Sequence, residues 1–158
     1  MEEEYDVAQI CVNGHEINSS SVKYPQYNKK FCDKCGAETI TKCRQCGENI
    51  KGYYHSFVSL APYRIPSFCD NCGKSYPWTK SKIIAAQELA KEVEGLSKEE
   101  RLILEKSIDD IVKDTPNGSV AALRFKKIMV KVGKNAADMF KDILVSIASE
   151  AAKKAIWG

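Results

Sequence analysis

The sequence predicts an α+β protein, in which an N-terminal double zinc ribbon of short β-strands is followed by a C-terminal all-α helical bundle. All seven cysteines and both histidines lie in residues 1–80, six of the cysteines as Cys-x-x-Cys pairs. Beyond residue 80 the chain is rich in Ala, Lys, Glu, Ile and Leu, with apolar residues at helical spacing. We therefore predict two domains, residues 1–80 with two metal ions and residues 81–158 with about four helices.

The composition and charge of the chain indicate which classes of protein it can belong to. No apolar run approaches the ~18 residues of a membrane span, and the acidic start MEEEYDVAQ does not resemble a signal peptide. We therefore expect a cytoplasmic protein. Thiols stay reduced in the cytoplasm, so Cys-x-x-Cys pairs there indicate metal sites rather than disulfides. The formal charge of +3 falls to about zero once seven thiolates bind two divalent ions. Residues 1–80 hold ten basic and nine acidic residues, so a generally basic nucleic-acid footprint is absent from the metal half.

The candidate metal ligands fall into four pairs, or knuckles, each of which supplies half of a tetrahedral site. They are Cys11/His15, Cys32/Cys35, Cys43/Cys46 and Cys69/Cys72. Pairing in chain order, first with second and third with fourth, gives loops of 16 and 22 residues inside the sites. The alternative is a cross-brace, as in RING-like domains, which pairs the first knuckle with the third and the second with the fourth. We favour the ordered pairing, which suits two stacked ribbons.

Zinc is the expected ion, two per chain, since thiolate-rich tetrahedral sites suit Zn²⁺; iron remains open. Both shells are closed and leave no position for a catalytic water. With every thiol used as a ligand, catalysis is not expected. The remaining histidine, His55, is expected on the surface or packed among aromatic rings. A position against a carboxylate or a serine in a concave pocket would weaken this interpretation.

The ribbon half is predicted to contain short strands. Residues 5–12 indicate a strand, residues 37–42 a turn or short strand, and residues 49–60 a hairpin limb. Tyr24, Pro25 and Tyr27 are expected to cover the metal, and residues 74–80 to form a hinge between the halves.

Four helices are predicted beyond the hinge. The first spans about residues 82–94, and the second follows a capping box at Ser97 to Glu100 and ends near Lys113. The third is capped by Ser119 and ends at Gly133. The fourth runs from about Ala136 to the end of the chain, and it can take part in oligomer contacts.

Two surfaces are candidates for partners. Helix three has five basic and no acidic residues from Ser119 to Lys134, and four of them recur at helical spacing as one stripe: Arg124, Lys127, Lys131 and Lys134. The stripe can face phosphates or an acidic protein, although a solvated helix face is the simpler interpretation. Aromatic residues of the ribbon half can stack on bases, but shielding the metals is the favoured role for them: Tyr53, Tyr54, Phe57, Tyr63, Phe68, Tyr76 and Trp78.

Several motifs resemble an uncharacterised bacterial family with a double zinc ribbon. They are YDVAQICVNGH at 5–15, FCDKCG at 31–36, GYYH at 52–55, PSFC at 66–69 and residues 73–78. The resemblance implies the ribbon fold and the eight metal ligands, and it implies no activity.

The expected function is that of a zinc-stabilised binding module, acting as an adaptor or regulator through a protein partner. The alternatives are nucleic-acid binding through the basic stripe on helix three, or a cross-brace, ligase-like enzyme.

Overall fold

The computed structural model describes residues 4–58 and 61–158. The chain divides into two compact units, Met1–Lys80 and Ser81–Gly158, here called the ribbon unit and the helical unit. The first contains small antiparallel sheets and the second contains helices, so the predicted α+β class is confirmed. Within the described residues, no helix is both long and apolar enough to cross a membrane.

Among the described residues of the ribbon unit, five short strands form two antiparallel sheets. Their bounds are β1 Glu4–Val7, β2 Gln9–Cys11, β3 Glu16–Asn18, β4 Thr39–Ile40 and β5 Lys51–His55. Strand β1 pairs with β5, and β2 lies between β3 and β4. The single strand predicted over residues 5–12 is therefore wrong. It breaks at Ala8, whose N–H donates to the Ile50 carbonyl at 2.9 Å instead of continuing either ladder.

The break between β1 and β2 at Ala8 depends on a close backbone contact at Gly52. A Cβ atom on this residue would lie 2.3 Å from the Ser19 carbonyl oxygen and 2.9 Å from the Ala8 nitrogen. Only glycine fits such an approach, which explains the glycine of the GYYH motif. The whole GYYH motif lies in β5. Of the predicted hairpin limb, only Lys51–His55 forms a strand. Residues 59 and 60 of the limb lie outside the described residues.

The ribbon unit has a small apolar core around Ile10, Ile50 and Trp78, each no more than 1% exposed. The Trp78 ring stacks on Tyr76 with centroids 4.7 Å apart, and its Nε1–H donates to the Pro66 carbonyl. These two aromatics therefore pack in the core, as favoured from the sequence. The predicted hinge over residues 74–80 is wrong, because α1 already begins at Pro77, where the fixed φ of proline suits a first helical turn.

The helical elements are α1 Pro77–Glu92, α2 Lys98–Ile111, α3 Pro116–Val132, α4 Lys134–Leu144 and α5 Glu150–Ile156. The capping box at Ser97 is confirmed, since Ser97 Oγ accepts from the Glu100 N–H and the Glu100 carboxylate accepts from the Ser97 N–H. Helix α3 starts earlier than predicted. Thr115, not Ser119, caps it, and Thr115 Oγ1 accepts from the Gly118 N–H at 3.1 Å.

The predicted fourth helix is wrong in its extent, because it ends at Leu144 and a separate α5 follows. Ser149 caps α5 through its side chain, while its own N–H donates to the Ile111 carbonyl at the end of α2. The helical periodicity of the sequence continues beyond Leu144, but this tertiary hydrogen bond favours a turn between α4 and α5.

The core of the helical unit is built around Phe125 of α3, which is fully buried. The Phe125 ring meets Phe140 and Trp157 edge to face, with centroids 6.0 and 6.1 Å apart. Trp157 therefore packs within the helical unit.

We predict that Phe125→Ala lowers the free energy of unfolding of the helical unit by about 3–5 kcal/mol, because it removes the ring on which two others pack. The matched variant Leu123→Ala, on the same helix but 55% exposed, should change it by less than about 0.5 kcal/mol. Urea unfolding followed by circular dichroism measures both. A similar loss for the two variants would contradict this account of the core.

Candidate metal centres

The three Cys-x-x-Cys-Gly knuckles share one backbone geometry. In each, the glycine N–H donates to the carbonyl of the first cysteine at 2.8 Å, and the glycine φ lies between +74° and +79°. A β-bridge closes each knuckle between residues seven apart. This turn buries the first cysteine and leaves the second more exposed. The repeated geometry follows from local sequence, because only glycine adopts such a φ readily.

The knuckles converge in two groups, and the pairing is the ordered one. Within each group the four candidate ligand atoms lie within 4.8 Å of one another. The first group is Cys11, His15, Cys32 and Cys35, and the second is Cys43, Cys46, Cys69 and Cys72. The cross-brace alternative is therefore wrong. Chain order prevails because β2 carries the first knuckle and pairs with β4, which directly follows the second.

The spacing of the donor atoms fits a tetrahedral zinc ion. In the first group, Cys11 Sγ lies 3.7 Å from Cys35 Sγ and 3.4 Å from His15 Nδ1. In the second, the contacts Cys43 to Cys72 and Cys46 to Cys69 are both 3.7 Å between sulfur atoms. A tetrahedron with Zn–S bonds of about 2.3 Å has edges of about 3.8 Å. Both groups can thus hold one ion with four ligands, His15 contributing Nδ1.

Electrostatics within the second group favour a bound cation. Hydrogen bonds from the backbone, first from the Cys72 N–H, lower the pKa of Cys69 to about 7. Although the Lys74 N–H lowers the pKa of Cys72, burial and the neighbouring sulfurs outweigh it and raise that pKa to about 11. Four thiolates cannot share so small a space unless a cation offsets their repulsion.

Each exposed ligand receives a hydrogen bond from an asparagine of the opposite knuckle. Asn13 Nδ2 donates to Cys35 Sγ at 3.3 Å, and Asn71 Nδ2 donates to Cys46 Sγ at 3.5 Å. Both asparagines occupy the second position after the first cysteine of their knuckle. The bond from Asn13, followed by one from the Ala37 N–H, lowers the pKa of Cys35 to about 6. Sequence reasoning missed these residues, although their equivalent positions in the two knuckles were a signal.

The remaining candidate residues are not ligands in either metal group. Tyr24, Pro25 and Tyr27, which were expected to cover a metal, are exposed, Tyr24 and Tyr27 to 43% and 63%. On the basic stripe, Lys131 bonds Glu100 at 2.8 Å, and Lys134 bonds Asp138 at 3.0 Å. Arg124 and Lys127 are exposed on α3.

His55 contacts both a carboxylate and a serine. Its Nε2 lies 3.0 Å from Asp6 Oδ2 and 3.4 Å from Ser20 Oγ, and its ring packs edge-on against Tyr53 at 5.3 Å. A cleft of about 470 Å³ adjoins it. These contacts therefore weaken the interpretation that the protein only binds a partner. In a catalytic triad, however, the acid and the serine bond opposite ring nitrogens, whereas here both contact Nε2.

Asp6 has a structural role that accounts for the contact with His55. Its side chain is 4% exposed, and burial raises its pKa. Hydrogen bonds from the Val22 and Val7 N–H groups, from His55 and from the Lys23 N–H outweigh burial, so that the pKa lies below its usual value. The carboxylate thus joins β1 to the segment that follows β3, and His55 completes its shell.

Taken together, the repeated knuckles, the short strands and the two tetrahedral ligand groups define a double zinc-ribbon protein. The chain belongs to the family described as an uncharacterised protein conserved in bacteria, DUF2321, which matches residues 4–156. Comparison with curated proteins and with solved structures gave no match.

We predict that the purified chain carries two zinc ions, and that Cys43→Ser carries one. Chelation should unfold residues 1–80, because their small core leaves most of the stability to the ions, while residues 81–158 keep their helicity. Elemental analysis and circular dichroism measure these outcomes. Loss of the helical signal together with the zinc would show that the two halves do not fold independently.

We predict that Asn13→Ala releases zinc to a chelator about tenfold faster, because hydrogen bonds to metal ligands strengthen the site. Asn13→Asp should release it faster still, since a carboxylate beside a thiolate repels it. The control is Asn49→Ala, an exposed asparagine of the same unit. Competition with a chromogenic chelator gives the rates, and equal rates in all four proteins would contradict a role for Asn13.

Proposed function

We propose that this protein is a zinc-stabilised adaptor or regulator that binds an acidic, amphipathic protein segment through the exposed face of α3. The observation that supports it is the composition of that face, which mixes large aliphatic side chains with cations. Val120, Leu123 and Val130 are 48%, 55% and 81% exposed. Exposed aliphatic side chains grouped in this way are typical of an interaction site.

The position of these residues around the helix makes one continuous surface. At 3.6 residues per turn, the three aliphatic residues and three cations fall within about one third of the helix circumference. The cations are Arg124, Lys127 and Lys131. The buried residues of α3, among them Ala121, Phe125 and Ile128, lie on the opposite side. The exposed aliphatic residues of this face therefore contribute little to the core of the helical unit.

A protein partner suits this face better than nucleic acid does. Because Lys131 and Lys134 of the basic stripe are already paired with Glu100 and Asp138, Arg124 and Lys127 are the main cations for a partner. Two cations are few for a run of phosphates but are enough for an acidic protein segment. Val130, the most exposed of the aliphatic residues, gains little beside a phosphate backbone. An acidic segment with apolar side chains complements both the charges and the aliphatic surface.

The two metal groups support a structural role within this function. Each has four protein ligands and no position for a catalytic water. The ordered pairing removes the main argument for a ligase-like enzyme. We also place the protein in the cytoplasm, where a reducing environment keeps seven thiols available for zinc.

A capture experiment with the zinc-loaded chain tests the proposal. We expect a protein partner that survives nuclease treatment, and that binds again when purified. The double variant Leu123→Glu, Val130→Glu should weaken binding to this partner at least about tenfold, because it places negative charge in the centre of the surface. Leu102→Glu is the matched control, since Leu102 is 58% exposed on α2.

Two outcomes would contradict the proposal. One is equal binding by the double variant and the control. The other is a nuclease-sensitive interaction whose dependence on salt flattens when Arg124, Lys127, Lys131 and Lys134 are changed to Gln, which would favour the nucleic-acid alternative.

A further inference from the structure

A ten-residue segment of the ribbon unit, residues 22–31, is exposed along its whole length. We call it the aromatic loop, because its sequence VKYPQYNKKF carries three aromatic rings and three lysines. Tyr24, Tyr27 and Phe31 are 43%, 63% and 55% exposed. From residue 17 to residue 32 the chain contains no acidic residue. Neither the metal groups nor the face of α3 accounts for this composition.

The backbone of the aromatic loop is fixed by buried amide side chains. Gln9, 9% exposed, donates to the Lys29 carbonyl at 2.7 Å and accepts from the Lys29 N–H at 3.0 Å. Asn18, 8% exposed, donates to the Tyr24 carbonyl at 2.9 Å and to Asn28 Oδ1 at 2.8 Å. Two buried polar residues thus hold an exposed loop in one conformation. Such preorganisation lowers the entropic cost of binding a partner.

The lysines of the aromatic loop lie beside its rings. Lys23 Nζ is 5.5 Å from the centroid of the Tyr24 ring, and Lys30 Nζ is 5.8 Å from that of Phe31. Lys29 is paired with Asp33 at 2.9 Å. Rings with adjacent cations are the combination that proteins use for single strands, because bases stack on the rings while cations contact the phosphates.

A polar cleft adjoins the aromatic loop at Tyr27. It has a volume of about 420 Å³ and is lined in part by Gln26, Asn28 and Lys29, with Glu16 opposite. The Asn28 amide is already bonded to the Ser21 carbonyl and to Asn18, whereas the amide of Gln26 can donate to and accept from the edge of an unstacked base. A carboxylate disfavours phosphate there but can accept a hydrogen bond from a base amino group. The cleft therefore suits a base better than a phosphate.

We propose that the aromatic loop is a binding site for single-stranded nucleic acid. Bases stack on Tyr24, Tyr27 and Phe31, and backbone phosphates contact Lys23 and Lys30. A duplex keeps its bases stacked inside and offers no free faces to these rings. This function is additional to protein binding by α3 and does not depend on it, because the two sites lie on different units.

The test uses the full zinc-loaded chain and fluorescein-labelled oligomers of thymidine and of uridine, with a duplex of mixed sequence for comparison. Fluorescence anisotropy should show binding to the single strands and weaker binding to the duplex. Tyr24→Ala and Tyr27→Ala should each weaken single-strand binding about fivefold to tenfold, through loss of stacking. Phe57→Ala is the matched control, since Phe57 is 76% exposed on the same unit and lies outside the loop.

The salt dependence tests the lysines separately. Lys30→Gln should reduce the slope of log affinity against log salt by about 0.7, the value for one phosphate contact on a single strand. Lys42→Gln is the control, because Lys42 is also exposed and likewise lies just before a knuckle. The zinc content of every variant is measured, so that an unfolded ribbon is not mistaken for a lost contact.

Three results would overturn the proposal. They are no binding to either single strand at about 10⁻⁴ M protein in low salt, equal binding by the tyrosine variants and Phe57→Ala, or a clear preference for the duplex. Similar affinity for thymidine and uridine oligomers would assign the site to single strands in general. A preference for uridine would assign it to RNA, through contacts to the 2′-hydroxyl.

Discussion

The main constraint on the ribbon unit is the repulsion between clustered sulfur atoms, which a bound cation would offset. Four donors from two separate knuckles meet at each centre, and without a positive charge the thiolates among them would repel one another. Each centre therefore joins two chain segments in the way that a hydrophobic core usually does. This explains why strands of two to five residues are sufficient, and why the apolar core around Ile10, Ile50 and Trp78 is so small.

Much of the ribbon unit could be predicted because its determinants are local. Cysteine spacing and the following glycine specify each knuckle, so the eight candidate ligands could be read from the sequence. The ordered pairing was only favoured over a cross-brace, because it depends on the contact between β2 and β4. The break of the first strand could not be predicted, since it depends on the Ile50 carbonyl and on the approach of Gly52 to Ser19. Asn13 and Asn71 were missed for the same reason, as their hydrogen bonds cross between knuckles.

The helical unit shows the same division between local and tertiary determinants. The capping box at Ser97 is complete within four residues, and it was predictable. The start of α3 was predicted at Ser119 and not at Thr115, because Thr115 and Pro116 are residue types that favour both a turn and a helix start. The end of α4 is decided by a hydrogen bond from Ser149 to the distant Ile111. Periodicity does not identify the buried face of α3, because Val120 and Leu123 are spaced like core residues yet are 48% and 55% exposed.

The backbone conformation of the aromatic loop depends on the buried amides of Gln9 and Asn18, whereas its surface chemistry depends on its own exposed side chains. Gln9 and Asn18 bond mainly backbone atoms of the loop, so its path does not depend on which side chains stand at positions 24, 27 or 30. Substitutions there can change what the loop recognises while the scaffold beneath it stays the same. Related chains can thus diverge in specificity without loss of folding, and the loop offers a graft position for engineered recognition sequences.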